Sequence, residues 1–376
     1  MPAQRILHIF PSFDVGGVQN RIVRVINALP ERYNHTIVAL DGSFAAGRNL
    51  RADAHVEFRP VALPKTGFIS FSNVRRVRTE VRDVQPDLMV TYNWGATEWA
   101  VANRLPRMCR QLHFESGFGP DEVPDRQHWR RIIARRLFLS RCERIVVPSM
   151  TLSDVATRVW RMPARRILYL PNGIDCSRFA GPIDTGMLQS LGIPAGVPVV
   201  GTVSALRPEK NLLRLIRAFT ALPVSLDARL LIVGDGPEAA RLRVAAEMSS
   251  AAKRIIFAGH LDEPSRLLRR IDVFAITSDT EQMPNSVLEA MAAGLPVVAT
   301  DVGDINRMVS RENAPFVLPI AENAGLVSAM LTLLQDVDLA RRVGAANLDR
   351  VKAQFSFETM VTHYDQLYST TIGGTA

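Results

Sequence analysis

Short apolar runs rich in β-branched residues recur along the chain, separated by glycine- and proline-bearing loops and by stretches with helical spacing. In the first half such runs fall at Arg5–Phe10, Thr36–Leu40, Val56–Val61, Asp87–Thr91, Arg110–Gly117, which ends in a loop, and Ile145–Ser149. In the second half they fall at Pro198–Ser204, Arg229–Pro237 with its glycine turn, Ile255–Leu261, Val273–Thr277, Pro296–Thr300 and Phe316–Pro319. Runs this short and this uniformly apolar suit strands buried on both faces of a parallel sheet. Helical periodicity predicts helices over Val18–Leu29, Ser72–Val84, Trp129–Arg141, Leu212–Ala221 and residues 284–293, and mainly helix from 323 to 368. Alternating strands and helices in two halves predict an α/β chain of two Rossmann-like, doubly wound domains facing a central cleft.

The stretch DTEQMPNSVLEAMAAGLPVVA, residues 279–299, joins two of these strands through one short helix. Pro284 fits the first turn, where a missing N–H costs nothing, and Gly294 fits just past the end. The start of that helix then points out of the carboxyl edge of the sheet, where its free N–H groups and positive dipole end suit an anion such as phosphate. Glu281 in the preceding loop and Glu289 inside the helix bracket this start. Carboxylates near a positive helix end stay ionised, so they suit accepting hydrogen bonds from hydroxyl groups.

Other loops at predicted strand ends carry further candidates. Gly16 and Gly17 let the backbone approach a ligand, but G-x-G-x-x-G is absent, which disfavours a nicotinamide cofactor. Asn93 and Trp94 follow a strand, where an aromatic ring and an amide can orient an acceptor, although Trp94 packed under a loop fits equally well. His113 and Glu115 fall on one side of an extended segment near the mouth of the cleft, with Ser116 as the alternative to either. Arg207 and Lys210 sit in the loop before a helix; an arginine clamps phosphate through two nitrogens and a lysine acts as a point charge. The segment Trp129–Arg141 reads as a basic amphipathic helix, with apolar residues at 132, 133, 137 and 139 and arginines at 130, 131, 135, 136 and 141. Its apolar side would pack on its own sheet or lie on anionic lipid. Asp336 and Asp338 fall between two helices, where a capping role is expected rather than metal binding.

Length and composition allow two cores, with 376 residues, 47% hydrophobic and 22% charged. Three cysteines without metal-type spacing fit a reducing compartment, and no run approaches a membrane span or a signal peptide, so a cytoplasmic protein is expected. The net charge of +8 is unevenly placed. Residues 1–172 hold 26 Lys+Arg against 15 Asp+Glu, a net +11, leaving 19 against 22, a net −3, for the remainder. An anionic membrane surface or a phosphorylated acceptor would complement the basic half. Nucleic acid is disfavoured, because no binding motif or aromatic–basic interleaving is present.

Glu281, seven residues, Glu289 and then AMAAGLPVVAT, together with the PNGID linker at 171–175, RPEK at 207–210 and VGDGP at 233–237, resemble retaining glycosyltransferases of family 4. The motifs occur in that family's order along nearly the whole chain. The resemblance implies the GT-B fold, with a first domain over 1–172, a nucleotide-sugar domain over 173–355, a last helix over 356–376 returning to the first domain, and a loose tail from Ile372. By resemblance Glu289 binds the nucleotide ribose, Glu281 the donor sugar hydroxyls, and backbone N–H groups of Met283, Pro284, Asn285, Ser286 and Val287 (proline excepted) the diphosphate or sugar. It further implies that Gly259, His260 and Leu261 face the base, that the Gly16–Gly17 loop closes over the donor, and that a His or acidic residue stands near the acceptor. The family's arginine falls at Ala205 here, so Arg207 substitutes from a shifted position beside Lys210.

The implied reaction moves a hexosyl unit from a nucleotide diphosphate sugar, UDP by family frequency, to a glycan or lipid-linked acceptor in bacterial polysaccharide or glycolipid synthesis, with retention and with neither metal nor cofactor. A sugar-nucleotide epimerase or hydrolase on the same two-domain plan is the rival enzyme.

Overall fold

In the computed structural model, the described residues are 3–374 apart from 62, 64–69, 105, 118–126, 182–184 and 262. The chain divides into two compact units, Met1–Pro171 together with Met360–Ala376, and Asn172–Thr359.

The first unit holds β1 (Gln4–Phe10), β2 (Tyr33–Ala39), β3 (Val56–Pro60), β4 (Leu88–Tyr92), β5 (Arg110–Phe114), β6 (Arg144–Val147) and β7 (Ile167–Tyr169). They form one sheet in the order β3-β2-β1-β4-β5-β6-β7, parallel throughout. The second unit holds β8 (Val199–Val203), β9 (Arg229–Val233), β10 (Ile255–Gly259), β11 (Val273–Ile276), β12 (Val297–Thr300) and β13 (Val317–Leu318). Their order, β10-β9-β8-β11-β12-β13, is also parallel throughout. In both sheets the chain winds outward from a central strand and then returns to the other side. The loops after β1 and β4, and after β8 and β11, therefore part company at a switch point, where open α/β sheets leave a crevice.

Side-chain alternation explains why both faces are covered. Leu230, Ile232, Val273, Ala275 and Val298 enter one core of the second unit. Their neighbours Leu231, Val233, Phe274, Ile276, Val297 and Ala299 enter the other. In the first unit Leu7, Ile9, Val38 and Met89 pack with Val77, Val81 and Trp99. The opposite face is aromatic: Phe10 stacks on Tyr92 at 4.0 Å between ring centroids, Tyr92 on Phe114 at 5.4 Å, and Phe114 on Tyr364 at 5.4 Å. Buried among these rings, His8 lies 2.9 Å from the Tyr92 hydroxyl through Nδ1 and 3.0 Å from His35 Nδ1 through Nε2. Burial, with His35 alongside, holds His8 well below the ordinary imidazole range, and burial lowers His35 to about 4.

Several elements differ from the sequence expectation. β7 is three residues long and too short to show a period. The last helix runs Phe357–Gly373, so Ile372 is helical rather than part of a tail. The predicted helix to Arg141 ends at Phe138 and closes with a 3-10 turn at Leu139–Arg141. Asp336 takes the expected capping place, accepting from the Leu339 N–H at 2.8 Å.

Candidate active site

The two loops that diverge at the switch point of the second unit carry the charged pair singled out in the sequence. After β8 the chain makes a short 3-10 turn, Pro208–Lys210, before the helix Leu212–Thr220. After β11 it enters the loop containing Glu281. Lys210 Nζ meets Glu281 Oε1 at 2.6 Å, and the Ser278 hydroxyl donates to the same oxygen at 2.7 Å. Glu281 is 8% exposed and Lys210 22%, so the pair is shielded without being sealed. Arg207 is exposed at the start of the same turn.

Backbone geometry fixes these loops. Gly234, at φ +134°, lets the loop after β9 lie directly on Ser204, since a Cβ there would stand 1.9 Å from the Ser204 carbonyl oxygen. The Leu206 N–H then donates to Asp235 O at 2.9 Å. Gly303, at φ +60°, does the same for the acidic loop: its Cβ would stand 2.5 Å from Glu281 O and 2.7 Å from Gln282 O. Between the loops the Asp279 N–H donates to Glu209 O at 2.8 Å. Asn211, at φ +43°, caps its helix and donates to both Asp279 oxygens at 3.1 Å. Arg214 reaches Asp279 at 2.9 Å and donates to Thr277 O at 2.8 Å.

The helix after Glu281 spans Asn285–Ala292 with Pro284 as its cap residue and no capping side chain. Met283 and Val287 are buried and belong to the core, so what this segment turns toward the loop side is backbone rather than those side chains. Asn172 pins the approach, donating to Met283 O at 3.1 Å and to Asn285 Oδ1 at 3.0 Å. Glu289 is half-buried one turn in, about 6 Å along the axis from the first helical residue. Gly259 ends β10 at φ +72°; His260 beyond it is exposed and Leu261 half-buried.

In the first unit Gly16 caps the helix Gly17–Ala28 in extended conformation, again without a capping side chain. Asn93, at φ +56°, accepts from the Ser116 N–H at 2.9 Å and so ties the end of β4 to the end of β5. Trp94 is half-buried against the guanidinium groups of Arg131 and Arg135 at 6.0 and 5.2 Å. His113 and Glu115 do share one side, 3.6 Å apart, but neither is exposed to solvent, at 0% and 1%. His113 Nδ1 pairs with the Thr91 hydroxyl at 2.9 Å, and Glu115 Oε2 lies 3.5 Å from Nε of the buried Arg135. Both side chains thus lie inside the first unit without exposed surface, while Ser116, the alternative to either, is half-buried.

Among the described residues no three His, Cys, Asp or Glu side chains come together as a metal cage. The residues that sequence reasoning missed are Asn172, Ser278, Asp279, Asn211 and Arg214, all of which hold the Lys210–Glu281 loops in place. Only Asn211, a polar residue directly before an apolar helical run, carries a local signal.

Two family models match the chain, Glycosyltransferase Family 4 over residues 15–178 and Glycosyl transferases group 1 over residues 197–336. The chain belongs to this family of GT-B glycosyltransferases. It is 27% identical to the 2-deoxystreptamine N-acetyl-D-glucosaminyltransferase of Streptomyces fradiae, over 96% of this chain and 93% of that one. It is 36% identical to a GDP-mannose-dependent alpha-mannosyltransferase of Mycobacterium tuberculosis, over 40% of this chain and 38% of the relative. Among solved structures, Anabaena HepE in complex with UDP superposes with a TM-score of 0.82 at 20% identity, over 98% of this chain and all of that one. Sucrose-phosphate synthase from Thermosynechococcus elongatus gives 0.82 at 20% over 99% of this chain and all of that one.

Proposed function

We propose that this glycosyltransferase moves a hexosyl unit from a UDP-sugar, with retention of anomeric configuration, to a glycan or lipid-linked acceptor of polysaccharide or glycolipid synthesis. The observation that carries the reading is the Lys210–Glu281 pair, placed at a switch point beside an uncapped helix start. Lys210 exchanges Glu281 for the incoming diphosphate, joined by Arg207 and by the N–H groups of Asn285 and Ser286. Glu281 is then free to accept hydrogen bonds from the donor sugar hydroxyls, and Glu289 takes the ribose. Gly259 to Leu261 meet the base, and the Gly16–Gly17 loop meets the donor.

As the sugar C1–O bond to the diphosphate breaks, C1 bonds to the acceptor oxygen on the same face, and the acceptor proton passes to the departing phosphate oxygen. No covalent nucleophile is needed, and the residues act by position and charge. Asn93 and Trp94 orient the acceptor, with His113 and Glu115 supporting that edge from inside.

The UDP assignment draws support from the UDP-bound Anabaena neighbour, while the GDP-mannose-dependent relatives make GDP-sugars the competing donors. A lipid-linked acceptor draws support from a UDP-Gal:alpha-D-GlcNAc-diphosphoundecaprenol galactosyltransferase of Escherichia coli, 28% identical over 46% of the chain. The basic first half suits an anionic membrane carrying such an acceptor. A thermal-shift screen of UDP- and GDP-sugars identifies the donor, since a ligand that binds only the folded state raises its stability. NMR of the product then reads the anomeric configuration. Inversion overturns the retaining mechanism, and turnover of donor without acceptor would favour an epimerase or hydrolase.

A further inference from the structure

The helix Trp129–Phe138 turns apolar residues outward and an arginine inward. Trp129, Ile133 and Leu137 are 65%, 47% and 48% exposed, whereas Arg135 is 1% exposed. Of the four apolar positions expected to share one side, Leu139 is buried and Ile132 packs against the same core, whereas Ile133 and Leu137 face outward. Arg135 lies on the inward side, its guanidinium 5.2 Å from the ring of Trp94 and 4.7 Å from that of Trp160.

At about 100° per residue the three apolar side chains fall within an arc of about 80°. Arg136 flanks it by about 20° on one edge and Arg130 by about 20° on the other. Both flanking arginines are exposed, as is Arg141 just beyond the helix. No Asp or Glu occurs between Gln127 and Cys142. An exposed Trp-Ile-Leu seam edged by arginines, on a half with 26 Lys+Arg against 15 Asp+Glu, matches the headgroup boundary of an anionic bilayer. Apolar side chains enter the acyl edge while guanidinium groups stay at the phosphates.

We propose that this seam seats the first unit on an anionic lipid surface, with Trp129, Ile133 and Leu137 inserted and Arg130 and Arg136 paired to lipid phosphates. The proposal deepens the reading of a lipid-linked acceptor and rests on that reading only for what it says of the acceptor. The membrane contact itself needs no donor. A free water-soluble acceptor would leave such a seam without use.

The test floats the full chain with vesicles of phosphatidylcholine, with and without phosphatidylglycerol, in the absence of any sugar nucleotide. Binding is expected to the anionic vesicles only and to fall as salt rises. Vesicles of brominated lipid should quench tryptophan emission, and Trp129→Phe should remove most of that quenching, since Trp99 and Trp160 are fully buried and Trp94 is half-buried beneath Arg131 and Arg135. Changing Trp129, Ile133 and Leu137 together to Ser should lower binding at least about tenfold with only a small drop in melting temperature, because about half or more of each side chain already faces water. Arg130→Gln and Arg136→Gln should each weaken it about fivefold.

Vesicle binding unchanged in the triple variant overturns the proposal, as does absence of binding by the wild type. A wild-type dimer that the triple variant converts to monomer would also overturn it, assigning the seam to a second copy of the chain. Failure in any of these ways leaves the sugar-transfer reading standing, and failure of sugar transfer leaves the vesicle result standing.

Discussion

Asn211 donates to both carboxylate oxygens of Asp279, at 3.1 Å each, across 68 residues of sequence. With Arg214 on the same carboxylate, this contact fastens the loop after β8 to the loop after β11 and so fixes where Lys210 can meet Glu281. Asp279→Ala removes the fastener without touching either member of the pair. Because Asp279 is 47% exposed, the change should cost about 1 kcal/mol of stability or less. Activity should suffer more, with kcat falling about tenfold as the two charges lose their fixed separation. Steady-state kinetics beside a melting curve separate the two effects, and an unchanged kcat would leave Asp279 a surface residue.

Lys210 and Glu281 should fail in different ways. Lys210→Met removes the cation assigned to the leaving diphosphate and leaves Glu281 held by Ser278. Its kcat should fall about 10²- to 10³-fold, the usual cost of losing one preorganised electrostatic partner. Glu281→Gln keeps an acceptor for hydroxyl groups but loses the charge, so its defect should be smaller and weighted toward the donor KM. Equal defects in both variants would show that the pair acts only as a structural clasp.

Gly303→Ala tests whether the acidic loop depends on the backbone that supports it. The added Cβ would stand 2.5 Å from Glu281 O, at a φ of +60° that side chains avoid, so the loop must shift. A stability loss of about 1–3 kcal/mol and a fall in donor affinity should appear together. A variant that binds nucleotide like the parent would show that the carbonyl of Glu281 has room to move.

All strands but β7 were legible, because parallel strands covered on both faces read as continuous apolar runs, as at Val273–Ile276 and Val297–Thr300, whereas Ile167–Tyr169 is too short to show one. Lys210 and Glu281 were legible because each sits in a loop between a strand and a helix, where charge stands out. The residues that hold them were not: Asn172 reaches Met283 across 111 positions, and no local pattern announces such a pairing. The helix Trp129–Phe138 shows a second limit. Its period was evident, but a helix with apolar residues around more than one side does not state which side meets the sheet. The decisive feature, Arg135 between Trp94 and Trp160, is a tertiary contact.

His8 and His35 predict an acid-sensitive first unit. Both are buried beside one another, and both bind protons less readily when folded than the ordinary imidazole does, His35 titrating at about 4. The unfolded chain takes up protons near pH 6.5, while the folded unit does not. Stability is therefore complete above about pH 6.5 and is lost as pH falls from there toward 4, below which folded His35 also protonates and its share of the loss levels off. Each histidine can contribute a slope of up to about 1.4 kcal/mol per pH unit. Between pH 7 and 5, above the range of most carboxylates, urea midpoints followed by near-ultraviolet circular dichroism should fall steadily. His35→Gln should weaken that dependence while retaining a polar partner for His8. A midpoint that is flat over the same interval, or a slope untouched by the substitution, would mean that protonation of this pair is not coupled to unfolding.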